Sequence, residues 1–379
     1  MFINFWYPAC FSTELTDKPR KQKMLGLNFA LFRDADGKAK CLSNTCIHRG
    51  GSLACQGEAA PGKVVDGNIQ CPYHGWQFDG EGVCVKIPSQ EADMPIPNKA
   101  RIDAYPTEEK YGIVFVFLGD LPEDERPPIM EATEYGMEGW GVILQSYMLK
   151  TGYRRSIENA IDPAHNEFVH PTHGFSGKDP DYFVPKLNLI EEEWGVGFMT
   201  EYESSGSPTK EYGEMKDGKK TVAGSGTHGA SHFWTKIQPA GKFKMHQYTY
   251  DLPVDEFTTR VFLVSTRNAG LTEEMQKIMM DRNLIVAQQD IDILDEVEPV
   301  RTPPTMKKEF MVRADSCIVR YRHHIKEYEK RGWRIDLNKF HEEMDKGDRV
   351  FAIPSPRRRE EDDWILDAVP LMPKHKTGK

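Results

Sequence analysis

The chain has no run of 18 or more apolar residues, which excludes an ordinary membrane-spanning helix. It has no internal repeat and no low-complexity tract, so solenoids and repeat arrays are set aside. Positive charge is in deficit. The 49 Lys and Arg against 58 Asp and Glu leave a net charge of −9, which argues against nucleic acid and anionic membrane as partners. The opening MFINFWYPACF lacks a basic segment followed by an apolar one, so no secretory signal is expected. Cysteine is odd in number: Cys10, Cys41, Cys46, Cys55, Cys71, Cys84 and Cys317. Apart from two assigned to metal below, these read as reduced thiols, and a cytoplasmic location is expected. What is present, 39% hydrophobic and 28% charged residues over 379 positions, suits a globular protein of two to three domains, or one small and one large.

Two segments pair one Cys with one His: Cys46-Ile47-His48 within CIHRGG, and Cys71-Pro72-Tyr73-His74 within CPYHGWQF. A Rieske [2Fe–2S] cluster needs this set, two thiolates on one iron and two imidazoles on the other. Gly50, Gly51 and Gly75 allow tight turns around it, and Pro72 stiffens the second loop. The alternative is a Cys2His2 zinc site. Such sites usually open with two Cys and close with two His, so mixed halves argue against it. Rieske proteins of respiratory and photosynthetic complexes resemble the pattern but carry a further Cys in each loop; those positions are Gly51 and Tyr73 here. A free-standing Rieske ferredoxin would end near the first third of this chain.

Residues 25–118 read as short strands, LNFALFR, AKCLSN, DGNIQC and GIVFVFLG, with hairpin turns at Asp36-Gly37 and Asp66-Gly67. The stretch DLPEDERPP at 120–128 reads as a linker. The expected division is therefore 1–126, an all-β cluster domain, and 127–379, an α+β domain. Strands are expected at GVILQSYML, FMTEYE, SHFWTKIQ, KMHQYTYDL and RVFLVSTR. The longest helix is expected from Thr272, as N-cap, to Glu298 before Pro299.

GYRRSIENAIDPAHNEFVHPTHG carries a second candidate centre. His165 and His170 are separated by four residues, with Asp162 three residues earlier. Two His and a carboxylate, leaving open positions, would hold a mononuclear non-haem iron. On a straight helix the two His lie about 140° apart, so a short helix broken at Pro163 and Pro171 is needed to bring them together. The carboxylate is sought in AQQDIDILDEVEP. Met279, Val286, Ile293 and Val297 trace an apolar helical stripe, and Asp290 falls on it. A buried carboxylate is costly unless paired or metal-bound. Asp292 and Asp295 read as solvated charges; for Asp290 the competing reading is an ion-paired core Asp.

Here the chain resembles the α-subunits of Rieske non-haem iron aromatic-ring-hydroxylating oxygenases, and its opening and IENAIDPAHNEFVH look like the carbazole dioxygenase-like, β-subunit-free branch. The residues that carry the resemblance are C-x-H…C-x2-H, then Asn159, Asp162, His165 and His170, then Gln289-Asp290. The long loop after His48 and the spacing of the two His depart from it. The resemblance implies an N-terminal Rieske domain and a C-terminal helix-grip (START-like) catalytic domain with an antiparallel sheet. It implies Cys46, His48, Cys71 and His74 on the cluster, His165, His170 and Asp290 on mononuclear Fe(II), and O2 as co-substrate. It further implies a homotrimer in which the cluster of one subunit serves the iron of its neighbour, with Asp162 as the bridge. The expected activity is hydroxylation, or oxidative N- or O-dealkylation, of an aromatic or related hydrophobic small molecule. Cis-dihydroxylation of an arene is the alternative outcome, and a Rieske electron carrier without oxygenase activity the other class. Asn159, Phe168 and Val286 are candidate pocket residues.

No flavin motif and no plant-type ferredoxin spacing is present, so electrons must come from a ferredoxin and/or an NAD(P)H-dependent reductase. The cluster Lys18-Pro19-Arg20-Lys21-Gln22-Lys23 reads as a solvated charge run rather than a docking site. Gly224, Gly226 and Gly229 match a dinucleotide fingerprint literally, but a strand follows, so a glycine-rich hairpin or loop is expected. Arg154 and Arg155 read as surface residues.

Overall fold

Asp66 and Gly67 both adopt positive φ, 51° and 78°, and join two strands through the two-residue turn that the Asp-Gly pair favours. The computed structural model describes residues 1–91, 93–171, 177–203, 220–238 and 243–374. Two compact units emerge, Met1–Ile129 with Tyr328–Lys379, and Met130–Glu327. The sequence expectation of 127–379 as one domain differs at its end, because residues 328–379 pack with the first unit.

The first unit is built on β1 (Phe5–Phe11), β2 (Arg20–Met24), β3 (Leu27–Arg33), β4 (Ala39–Ser43), β5 (Lys63–Val65), β6 (Asn68–Gln70), β7 (Gln77–Phe78), β8 (Cys84–Lys86), β9 (Ala104–Tyr105), β10 (Thr107–Lys110) and β11 (Ile113–Leu118). They form three antiparallel sheets in the orders β1-β11-β10, β2-β3-β4-β9 and β5-β6-β7-β8. β11, IVFVFL, is buried throughout. The basic run falls on β2, where Lys21 and Lys23 are exposed and Gln22 points inward, the alternation of a strand edge. The C-terminal segment completes this unit. Trp333 accepts the Ile3 backbone N–H, Tyr328 and Trp333 pack edge-on against Phe5, and Arg358 grips the fully buried Asp103 through two hydrogen bonds of 2.6 and 2.7 Å.

The second unit is a seven-stranded antiparallel sheet of β12 (Gly141–Leu149), β13 (Leu189–Glu192), β14 (Gly195–Glu203), β15 (Lys220–His228), β16 (His232–Gln238), β17 (Met245–Pro253) and β18 (Thr259–Arg267), in the order β12-β18-β17-β16-β15-β14-β13. Four helices accompany it: α1 (Tyr153–Ala160), α2 (Asn166–Val169), α3 (Glu273–Leu294) and α4 (Ser316–Lys330), the last ending in the first unit. Thr272 caps α3 by accepting from the Met275 N–H. The helix stops at Leu294, four residues before the expected end. The glycine motif is a hairpin, as expected: Gly224 and Gly226 lie on β15 and Gly229, at φ 62°, in the turn to β16. A Cβ on Gly226 would strike the Trp234 ring at 2.4 Å, and one on Gly197 of β14 would strike it at 2.6 Å, so these two glycines leave room for the indole against the sheet.

One face of the sheet is covered by residues 130–140. Tyr250 donates to the Met130 carbonyl, and Tyr248 and His246 both bind the Glu134 carboxylate. Alternate residues face the other way, toward α3: Gln145 and Tyr147 on β12, and Gln247, Thr249 and Asp251 on β17. The buried side of α3 is Met279, Asn283, Ala287 and Leu294. Ile293, placed on the apolar stripe from sequence, is 52% exposed. The true stripe passes through a polar residue, Asn283, which a search for apolar periodicity skips.

Candidate metal centres

The two Cys/His segments are loops of the same make. In the first, Cys46 N–H donates to the Gly51 carbonyl and Gly50 N–H to the Cys46 carbonyl; in the second, Cys71 N–H donates to the Trp76 carbonyl and Gly75 N–H to the Cys71 carbonyl. Gly50 and Gly75 occupy the same place in each turn, with φ of 71° and 74°, which side-chain-bearing residues rarely adopt. The loops meet closely: a Cβ on Gly51 would lie 3.0 Å from Cys71 Sγ. The neighbouring thiols of Cys46 and Cys71 act on each other, which with burial raises the pKa of Cys46 and lowers that of Cys71. The rings of His48 and His74 are 4.4 Å apart between centroids. Trp76 stacks on His48 at 4.7 Å and 8°, fixing its plane. Burial and the neighbouring His74 and Arg49 lower the His48 pKa, keeping the ring neutral. Its buried Nδ1 has no protein partner, so a ring nitrogen is available to a metal. Two thiols and two imidazoles on matched, closely approaching loops fit a [2Fe–2S] cluster.

The second centre is assembled from α2 and α3. Four residues of helix separate His165, its N-cap, from His170, its C-cap. His170 leaves the helix at φ −115° and ψ 67°, which brings its ring round to His165. This is the broken helix that Pro163 and Pro171 foreshadow. His165 Nε2 and His170 Nε2 are 3.2 Å apart, and Asp290 Oδ1 lies 3.7 Å from the first and 3.2 Å from the second. Among the described residues these three form the one group of three or more with metal-ligand spacing. Two imidazoles and one carboxylate are the ligand set of an oxygen-activating non-haem iron site.

A second layer of groups aims these three. Gln289 Oε1 lies 3.0 Å from His170 Nδ1, leaving Nε2 for the centre. Asn159 on α1 donates to Asp290 Oδ1 at 3.0 Å. Burial opposes ionisation of Asp290, but His170, His165 and Asn159 hold its pKa below the ordinary value. Asp162 is tied by the Ala164 N–H at 2.7 Å and lies 3.8 Å from His165 Nδ1, on the side away from the triad. Asp292 instead accepts from exposed Gln288, and Asp295 from the Lys150 N–H. Phe168 is 60% exposed and edge-on to Tyr182; Val286 is half-buried on α3.

Arg154 and Arg155 are not free surface residues. Arg155 binds Glu309 at 2.6 Å, and Arg154 lies 3.8 Å from Glu158. Glu158 in turn receives two hydrogen bonds from buried Arg322, of 2.8 and 2.6 Å. This network clamps α1, and so Asn159. Sequence reasoning also missed Tyr147 and Asp251, which share a row across β12, β18 and β17 through Val261. Burial, Asp251 and Asp290 raise the Tyr147 pKa well above its ordinary value. Burial pushes Asp251 up to about 8, opposed only by the nearby Ser156 hydroxyl, and neither of its oxygens has a well-formed hydrogen bond. Strand alternation was the signal: both residues sit at core-facing positions of expected strands.

Residues 5–106 match the Rieske [2Fe-2S] domain, and residues 149–331 match the vanillate O-demethylase oxygenase C-terminal domain. Chlorophyllide a oxygenase of Chlamydomonas reinhardtii is 37% identical over 44% of this chain, which spans only 24% of that protein. The 3-chlorobenzoate-3,4-dioxygenase oxygenase subunit of Comamonas testosteroni is 33% identical over 44% of this chain and 37% of its own length. The chain thus spans well under half the length of these relatives. Methylxanthine N1-demethylase NdmA of Pseudomonas putida is 26% identical over 86% of this chain and 88% of its own. The fold is shared with NdmA solved with caffeine, at a TM-score of 0.73 and 23% identity over 90% and 92% of the two chains. Apo dicamba monooxygenase follows at 0.68 and 20%, over 86% and 97%. No helix among the described residues is long and apolar enough to cross a membrane. With a Rieske domain for a [2Fe–2S] cluster joined to an oxygenase domain for mononuclear iron, the chain belongs to the Rieske non-haem iron oxygenases.

Proposed function

We propose that the chain is the terminal oxygenase component of a multicomponent system, hydroxylating or oxidatively N- or O-dealkylating an aromatic or related hydrophobic small molecule. The observation that carries this reading is the convergence of His165, His170 and Asp290, whose ligand atoms lie within 4.8 Å of one another. A pure electron carrier has no use for such a site. Monooxygenation or dealkylation is favoured over cis-dihydroxylation because NdmA, similar over most of its length, is named as a demethylase.

When bound, the two metal centres supply one-electron transfer and O2 activation. Cys46, His48, Cys71 and His74 hold the cluster; His165, His170 and Asp290 hold the iron. Gln289 and Asn159 keep a ring nitrogen and a carboxylate oxygen directed at that iron. Asp162 orients His165 and links to the cluster of a neighbouring subunit in a ring of three. Asn159, Phe168 and Val286 border the substrate space. A ferredoxin and/or an NAD(P)H-dependent reductase delivers electrons, and the protein is cytoplasmic.

The test is product mass from a substrate screen with purified holoprotein, reductant and O2. A gain of one oxygen or loss of an alkyl group is expected. A gain of two oxygens and two hydrogens would make it a dihydroxylase. Reoxidation of the cluster with no product from any substrate, in protein without mononuclear iron, would leave only the carrier.

A further inference from the structure

Between α3 and the sheet, three side-chain amides meet in a polar layer beside the apolar cluster of Ile143, Met245 and Met279. Gln145 Nε2 donates to the Met280 carbonyl at 2.9 Å, Asn283 Nδ2 donates to Gln145 Oε1 at 3.0 Å, and Gln247 Nε2 reaches Asn283 Oδ1 at 3.4 Å. A backbone carbonyl only accepts, so Met280 fixes the direction of all three amides. The relay therefore ends on Gln247 with its carbonyl oxygen outward. Gln145 and Asn283 are buried, whereas Gln247, at the end of the relay, is half-buried, and its Oε1 has no partner among the described residues. A core has no use for three linked carboxamides ending in an open acceptor, since each would be replaceable by a packed apolar residue.

The spacing suits a substrate. Asn283 and Asp290 share the buried side of α3, two turns or about 10 Å apart. Between them lies the small, buried Ala287. Tyr147, facing the same side, is half-buried, and its hydroxyl makes no hydrogen bond to a described residue. The acidic group on these faces of the sheet is Asp251, whose carboxyl burial raises to about 8. Arg267 is the one cation among the described residues pointing inward from β12, β17 and β18, and it is engaged by the Gly270 carbonyl and Gln276.

Resting on the oxygenase reading, we propose that Gln247, held by Asn283 and Gln145, is a specificity-determining residue. It accepts a hydrogen bond from a neutral substrate bearing an N–H group, such as a primary or secondary amide, roughly 10 Å from the metal ligands. A carboxylate in the same place finds no cation and faces the lone pairs of Oε1.

Three probes of one shape separate the possibilities: 4-methoxybenzamide, methyl 4-methoxybenzoate and 4-methoxybenzoate. Binding to holoprotein is measured by titration calorimetry. The amide should bind about tenfold tighter than the ester, the value of one recovered hydrogen bond, and the anion weakest. Gln247→Leu should bring amide and ester to within about twofold, with ester affinity unchanged, which also reports an intact fold. Asn283→Leu should weaken the amide less, by freeing the Gln247 side chain. Equal binding of amide and ester by the wild type, discrimination that survives Gln247→Leu, or no binding of the amide at millimolar concentration each overturns the proposal. Formaldehyde release from the reduced holoprotein with O2 is read separately. A tightly bound amide with no product from any probe counts against the oxygenase reading alone. Equal product from all three counts against the pocket alone.

Discussion

Asp290 and Asp292 are two residues apart on α3 and meet different surroundings. Asp290 faces two imidazoles and an amide; Asp292 holds an exposed glutamine. We expect Asp290→Ala to lose substrate oxidation and mononuclear iron, measured by metal analysis, while the visible spectrum of the [2Fe–2S] cluster is kept. Asp292→Ala should retain both. Loss of iron in Asp292→Ala instead would show that the wrong carboxylate was chosen. Asp251 supports a prediction on pH. Its carboxyl is raised from 3.8 to about 8 by burial. Below the lower value, folded and unfolded chains both carry the proton. Between the two values only the folded chain keeps it, so stability falls as pH rises through this window and levels off above it. Asp251→Asn does not titrate. Its thermal midpoint should therefore gain on the wild type between pH 5 and pH 8, the shift growing with pH. A gap that stays constant across that range would show that Asp251 is ionised in the fold.

Among the elements, α1 depends most on its surroundings. It is eight residues long, too short to be stable alone, yet it presents Asn159 to Asp290. Its anchor is the Glu158–Arg322 pair, whose side chains are 7% and 4% exposed. Removing one partner leaves a buried charge uncompensated, so Arg322→Met should cost about 3–5 kcal/mol. The double variant Glu158→Gln, Arg322→Met should cost less than the single change. Urea unfolding followed by tryptophan fluorescence reads both, and a double variant worse than the single one would refute the clamp. Elements were also where sequence reading succeeded and failed most plainly. GVILQSYML is β12 to the residue, Gly141–Leu149. The Rieske loops and the His pair are contiguous, so chain order alone exposes them. The Arg322–Glu158 clamp joins residues 164 apart, and the amide relay joins three elements. No local pattern encodes such partners, and Gln145, Gln247 and Asn283 look individually like ordinary polar residues in a strand or helix.

For the whole molecule, the proposed ring makes activity a property of paired chains. Cys46→Ala and His165→Ala should each be inactive alone, one for want of the cluster and the other of the iron. Mixed trimers of the two should recover part of the turnover, since a good cluster in one chain then serves a good iron in the next. No recovery, with mixed assembly confirmed by native mass spectrometry, would mean transfer within one chain or no ring. A different consequence follows from the return of residues 328–379 to the first unit. Synthesis delivers the cluster loops early and these residues late. Until they arrive, Ile3 lacks the Trp333 carbonyl, Phe5 lacks its aromatic cover, and Asp103 is a buried carboxylate without Arg358. The cluster-bearing unit thus receives these three contacts only after the intervening unit has been synthesised, whereas the core around its Cys/His loops draws on residues 30–104 alone.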